Sequence, residues 1–181
     1  MKSIAKKIIL VSLKKKKLKK KQIFSICKLK NSFWKWNIKN QLEWFKVKVY
    51  KNDINNLLLI DDKIIGYTLL RKRKARFDNK SFNYYYLDSF LIDKRFRKKK
   101  LGEKLILFNN KIIRKLKKHA FLICPKEMVN FYLKYEWTIS KKKSFKLIDH
   151  TPKWLNSKSK INALTYNLKK KNIKKISYQL N

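Results

Sequence analysis

Apolar and polar residues change rhythm along the chain, and the changes mark its elements. Leu57 to Ile60 and Ile64 to Leu70 are apolar runs separated by Asp61-Asp62-Lys63, which predicts two strands joined by a tight acidic turn. Gly66 lies inside the second run, where a missing side chain marks a bulge or close packing. A basic loop, Arg71 to Arg76, precedes a third strand from Tyr84 to Ile92. From Gly102 to Lys118 the period becomes helical: Leu101, Leu105, Phe108, Ile112 and Leu116 fall on one face. Ala120 to Cys124 reads as a short buried strand, Glu127 to Tyr135 as a second helix, and Trp137 to Ile148 and Ile161 to Leu168 as late strands around a loop containing Pro152.

The start of the chain is less regular. Gln22 to Tyr50 has a helical pattern, and Trp34, Trp36, Trp44 and Phe45 within it are expected to pack in the core, because a stacking platform for bases would sit on a sheet. The lysine run from Lys14 to Lys21 reads as the solvated first turn of a helix. The order after this helical start, β-β-β-α-β-α-β-β, predicts a mixed α/β fold. A length of 181 residues suits one domain, residues 1–181, with a basic N-terminal segment over 1–21 and a frayed basic tail over 169–181.

Composition narrows the function classes. A hydrophobic fraction of 44% supports a core, yet 50 Lys+Arg against 11 Asp+Glu give a formal charge of +39. Such a field attracts polyanions, nucleic acid among them, through non-specific charge. Lysine, isoleucine and asparagine recur throughout, however, with only two glycines and two prolines, as compositional drift would leave them. Cys27 and Cys124 are far apart and the histidines are His119 and His150, so no metal site or Cys/His nucleophile pair is expected. The apolar runs are too short for a membrane span, and Ile8 to Val11 is too short for a signal-peptide core. The expectation is a cytoplasmic protein, monomer or homodimer.

The stretch from Leu87 to Trp137 carries the chemistry. A strand leads through Phe96-Arg97-Lys98-Lys99-Lys100-Leu101-Gly102 into an amphipathic helix, and the free N–H groups of a helix start form a cup for anions. Arg97 and the adjacent lysines add charge-assisted contacts, so a pyrophosphate is the natural guest.

Here the chain resembles the GNAT family of N-acetyltransferases. The family's coenzyme A signature, Arg/Gln-x-x-Gly-x-Gly/Ala, reads Arg97-Lys98-Lys99-Lys100-Leu101-Gly102, with Lys100 in place of the first Gly. Asn130-Phe131-Tyr132-Leu133-Lys134-Tyr135-Glu136-Trp137 resembles the family's later helix and strand start, with Glu136 where Gly is usual, and Ile65-Gly66-Tyr67 resembles its second-to-third strand. The resemblance implies a mostly antiparallel central sheet flanked by helices, acetyl-coenzyme A as co-substrate, no metal, and direct attack by an amine. It implies that backbone at Leu91 and Ile92 pairs with the pantetheine arm and polarises the acetyl carbonyl. It also implies that Arg97, Lys98, Lys99, Lys100, Leu101 and Gly102 hold the pyrophosphate, that Asn130 bonds the pantetheine or the thiol end, and that Tyr132 is the general acid. Asp88 is the best candidate base, ahead of Glu43. The acceptor amine, on a small molecule or a macromolecule, is electrostatically easier if neutral or anionic. The competing reading is a non-catalytic basic RNA- or ribosome-binding protein on a degenerate acetyltransferase scaffold. A membrane-surface role through the N-terminal segment is disfavoured by its short apolar face.

Overall fold

The computed structural model of the chain describes residues 7–77, 80–141, 144–148, 162–168 and 175–180. His150, the Pro152 loop and residues 1–6 and 169–174 lie outside them. In chain order the elements are β1 (Ile8–Lys14), α1 (Lys20–Asn31), α2 (Ile38–Lys48), β2 (Ile54–Ile60), β3 (Lys63–Phe77), β4 (Lys80–Ile92), α3 (Leu101–Lys115), β5 (Ala120–Cys124), α4 (Lys126–Leu133), β6 (Thr138–Ser140), β7 (Phe145–Leu147), β8 (Asn162–Tyr166) and β9 (Ile176–Tyr178). The expected mixed α/β class, with a mostly antiparallel sheet and flanking helices, is what forms.

The chain folds as two compact units, residues 1–71 with 89–109, and residues 72–88 with 110–181. In the first, the strand order is β1-β2-β3-β4. The β2–β3 hairpin turns at Asp61 and Asp62, both with positive φ (48° and 59°), as a two-residue turn between right-twisted strands requires. Leu58 pairs with Gly66 but Leu59 with Ile64, so Ile65 is the extra residue of a bulge. One face of this sheet packs Leu57, Tyr67, Leu69 and Leu91 against Ile26, Cys27, Leu29 and Phe45 of α1 and α2. Another cluster joins Leu58, Ile60, Ile65 and Ile92 to Leu101 and Leu105 of α3. Gly66 permits that contact: a Cβ there would lie 2.9 Å from Ile92 Cδ1, 3.1 Å from Leu58 Cβ and 3.3 Å from Leu105 Cδ2. Gly66→Ala is expected to destabilise the protein by about 1–3 kcal/mol through overpacking, read as a lower urea midpoint with unchanged m-value.

In the second unit the order is β3-β4-β5-β8-β6, with β9 pairing β3 and β7. Its core stacks Tyr178 on Phe121, ring centroids 4.0 Å apart, with Tyr84 set edge-on to Tyr178 at 4.9 Å. The β4–β5 pairing is parallel and extends only over Tyr85↔Ala120 and Tyr86↔Phe121, while all of β5 pairs with β8.

Five expectations need correction. Arg71 to Arg76 is not a loop but part of β3, which runs unbroken from Lys63 to Phe77. Ile8–Lys14 is not part of a helical start but a strand, pairing with β2 along its whole length. Of the lysine run, Lys15–Lys17 form a 3-10 turn and only Lys20 and Lys21 open α1. The half-buried Lys15 ammonium donates to the carbonyls of Lys46 (2.7 Å) and Val49 at the end of α2, where a cation complements the helix dipole. The tail is not frayed where it is described, since Ile176, Tyr178 and Leu180 are buried in the second unit's core. Trp34 and Trp36 are exposed, whereas Phe45 is buried and Trp44 half-buried.

The α3 stripe also differs. Its buried ridge is Leu101, Leu105, Ile106, Asn109, Asn110 and Ile113, while Phe108 and Ile112 are half-buried and Leu116 is exposed. Two asparagines enter the interior because their amides are bonded there. In the first unit Asn109 Oδ1 accepts from Asn56 Nδ2 and Thr68 Oγ1, both at 2.8 Å, and its Nδ2 donates to Leu105 O at 2.7 Å. In the second, Asn110 Nδ2 donates to Tyr135 O at 2.8 Å, and Oδ1 accepts from Trp137 Nε1 at 3.1 Å.

Candidate active site

The first unit holds the loop in which an anion cup was expected. Strand β4 ends at the buried Leu91 and Ile92, and the Asp93 N–H donates to Ile65 O at 2.7 Å, anchoring the loop that follows. Every residue from Lys94 to Lys100 except Phe96 is Lys or Arg. The Asp93 carboxylate engages one of them: Arg95 Nη2 donates to it at 2.7 Å and Nε at 3.1 Å. These hydrogen bonds from Arg95 hold the Asp93 carboxyl below the usual carboxylate range, against an opposing effect of burial. Arg97, Lys98, Lys99 and Lys100 are exposed. The Arg97 guanidinium lies 5.0 Å from the centroid of Phe33, a cation–π contact that fixes one side of it.

The backbone of this loop explains the signature. Lys98 (φ 61°) and Lys100 (φ 54°) are both left-handed. The position the family fills with Gly therefore keeps its glycine-like conformation in this chain, at a cost of about 1 kcal/mol for a residue with a Cβ. The turn leads into the N-terminus of α3, whose first-turn N–H groups have no intrahelical acceptor. Left-handed turn, helix start and exposed cations together fit a pyrophosphate.

The second unit holds the α4 residues. Glu136, the other replacement for Gly, is also left-handed (φ 68°) and ends α4 as a Schellman motif. In it, Trp137 N donates to Tyr132 O and Glu136 N to Leu133 O, both at 3.3 Å. The motif brings Trp137 onto Tyr132, rings edge-on at 5.8 Å. The Asn110 amide grips both ends of this turn, so α3 positions α4; sequence periodicity missed it because asparagine does not count toward an apolar stripe. Lys100→Gly and Glu136→Gly are each expected to raise stability by about 1 kcal/mol by relieving left-handed strain. For Glu136 that gain is reduced slightly by losing the exposed contact to Arg114 at 3.2 Å; chemical denaturation of the single variants checks both.

Tyr132 is 5% exposed. Burial, and secondarily the neighbouring Cys124, push its phenol above the usual range, so it holds its proton at neutral pH. Cys124 is buried, its thiol pushed up to about 12 by burial and then by Glu127, which makes it a poor nucleophile. Asn130 is exposed on α4. Asp88 is half-buried on β4, on the strand face shared by Tyr84, Tyr86, Phe90 and Ile92. Glu43 is exposed on α2. Leu91, Ile92 and Arg97 to Gly102 thus belong to the first unit, and Asp88, Asn130 and Tyr132 to the second.

Residues 23–135, more than half the chain, match the acetyltransferase (GNAT) family. The chain belongs to that family. Its fold is that of solved acyl-CoA N-acyltransferases. It is similar to one from Pseudomonas aeruginosa (TM-score 0.64, 10% identity, 88% of this chain and 99% of that one) and to ElaA from Escherichia coli (0.61, 11%, 88% and 99%). It is also similar to the PaiA N-acetyltransferase from Thermoplasma acidophilum, solved in complex with coenzyme A (0.55, 16%, 88% and 98%). A search of curated proteins returns no match. Among the described residues no helix is long and apolar enough to cross a membrane.

Proposed function

We propose that this chain transfers an acetyl group from acetyl-coenzyme A to an amine by direct attack. The observation that carries the reading is the turn before α3, left-handed at Lys98 and Lys100 although neither is glycine. A strained backbone kept at the family's glycine position is best accounted for by a retained ligand-binding loop.

Acetyl-coenzyme A supplies the activated thioester. Arg97, Lys98, Lys99 and Lys100, with the N–H groups leading through Leu101 and Gly102, hold the paired phosphates. The backbone at the end of β4, Leu91 and Ile92, pairs with the pantetheine arm and polarises the acetyl carbonyl, and Asn130 orients the thiol end. Tyr132 keeps its proton at Oη until the thiolate leaves, then donates it. The amine must arrive neutral. For a lysine-like amine this costs about 4.6 kcal/mol at pH 7, and we assign Asp88 as the base that takes the proton, directly or through water.

The positive field draws in the anionic co-substrate and repels polycations, so the acceptor is a neutral or anionic molecule such as an amino sugar. The test is thiol release from acetyl-coenzyme A with glucosamine and, separately, with a lysine-rich peptide. Faster release with the amino sugar supports the reading. Preference for the cationic peptide contradicts the acceptor assignment, and no release with either amine, alongside no coenzyme A binding, contradicts the reaction.

A further inference from the structure

The six residues joining α1 to α2 expose two indoles where a core was expected: Trp34 is 39% exposed and Trp36 53%. They alternate with an exposed lysine, Lys35, and Lys39 follows one turn later, also exposed. The connection is held firmly. Trp34 N donates to Lys30 O at 2.9 Å, Gln41 Nε2 donates to Trp34 O at 3.0 Å, and Asn37 Oδ1 accepts from Asn40 N at 2.9 Å. Behind it the buried Lys30 ammonium lies 3.3 Å from the ring centroid of Trp44 and 5.3 Å from that of Trp34. Two exposed rings on a rigid backbone are a prepared surface, at a place where burial would have been the cheaper use of tryptophan.

Charge identifies the partner. The chain has no Asp or Glu before Glu43, which lies one turn beyond Lys39 on α2, so Lys35 is the cation of this segment with no acidic residue near it in sequence. Rings interleaved with cations match a strand of phosphates carrying bases whose faces are open. A membrane surface fits less well. The solvent side of α1 shows Lys20, Lys21 and Lys28 around a single Phe24, too little apolar area to seat in lipid. A duplex buries the base faces that indoles would cover.

We propose that the α1–α2 connection is a contact site for single-stranded nucleic acid, with Trp34 and Trp36 stacking on bases and Lys35 and Lys39 meeting phosphates. The site uses none of the residues assigned to acyl transfer, although Phe33 of the same connection packs on Arg97, and its test reads binding alone. A fluorescein-labelled 12-nucleotide single strand, as RNA and as DNA, is titrated with wild type and with the Trp34→Leu/Trp36→Leu double variant over a range of salt. Their thermal melts check that the exposed positions leave the fold intact. Stacking predicts affinity about ten- to a hundredfold lower in the variant at every salt concentration, with the salt slope unchanged because no charge is removed. Quenching of wild-type tryptophan fluorescence by the strand accompanies it. Equal affinity for both proteins would show charge-only binding and overturn the proposal. So would absence of binding, a preference for the duplex of the same sequence, or a double variant that loses only its binding to vesicles of anionic phospholipid.

Discussion

Tyr132→Phe is expected to slow acetyl transfer by about 10²- to 10⁴-fold while leaving the KM for acetyl-coenzyme A within a fewfold of wild type. The substitution removes one oxygen and keeps the ring that packs against Trp137 and Phe131. The Schellman turn is backbone-bonded and stays in place, so α4 retains its position. A purely structural tyrosine would behave differently, giving a shifted melt with an unchanged turnover. Because burial raises the Tyr132 phenol above its usual range, the proton is present across neutral and mildly alkaline pH. Turnover should therefore not fall between pH 7 and 9 from loss of this acid. Thiol release from acetyl-coenzyme A with glucosamine as acceptor reads both effects.

The second large effect is on stability and comes from His119. Its ring is buried among aromatics, stacked on Tyr84 at 5.6 Å, with Phe82 at 5.0 Å and Tyr178 at 5.9 Å. Its Nε2 is buried without a hydrogen-bond partner among the described residues. Burial, and then the charge of Lys118, depress its pKa from 6.5 to about 4. The unfolded chain thus binds a proton that the folded chain refuses between those values, and stability falls as pH drops through that window. The loss is about 3 kcal/mol once pH reaches the folded value. His119→Phe keeps an aromatic ring and removes both the titration and the orphan nitrogen. Urea denaturation at pH 7 and pH 4.5 should show a steep loss for wild type and a much smaller one for the variant. Carboxylates such as Asp93 contribute their acid-induced loss to both proteins and cancel in the comparison. An equal loss in the two would remove His119 from the account.

Much of the middle of the chain was legible because its periods are clean. The two strands around Asp61-Asp62, the strand ending at Ile92, and the long helix after Gly102 follow from spacing, and the acidic turn is what the hairpin needs. What escaped was set by partners distant in sequence. Ile8–Lys14 is too short an apolar run to stand out beside the lysines, and it becomes a strand because β2 offers it a register. Ile176–Tyr178 is likewise made by pairing with β3 and β7, and by Tyr178 seating on Phe121. Asn109 and Asn110 read as polar interruptions of a stripe, yet they are its buried centre, since tertiary partners satisfy their amides. Of the candidate site, the loop before α3 was readable as a motif, and Lys100, in place of its first Gly, proved left-handed, as did Lys98. The role of the Phe33 ring beneath Arg97 was not readable, because a cation–π contact between a helix connection and a distant loop leaves no local pattern.

The central claim is that the turn before α3 cradles the paired phosphates of coenzyme A, and calorimetry on wild type and Gly102→Val tests it most directly. The substitution adds bulk where the helix start would approach the phosphates and changes no charge, so it separates a shaped cradle from a diffuse positive field. The account predicts that wild type binds coenzyme A clearly tighter than pantetheine, and that the variant loses about tenfold or more in coenzyme A affinity with its melt little changed. Coenzyme A binding that is equal in the two proteins, or no tighter than pantetheine, would contradict it.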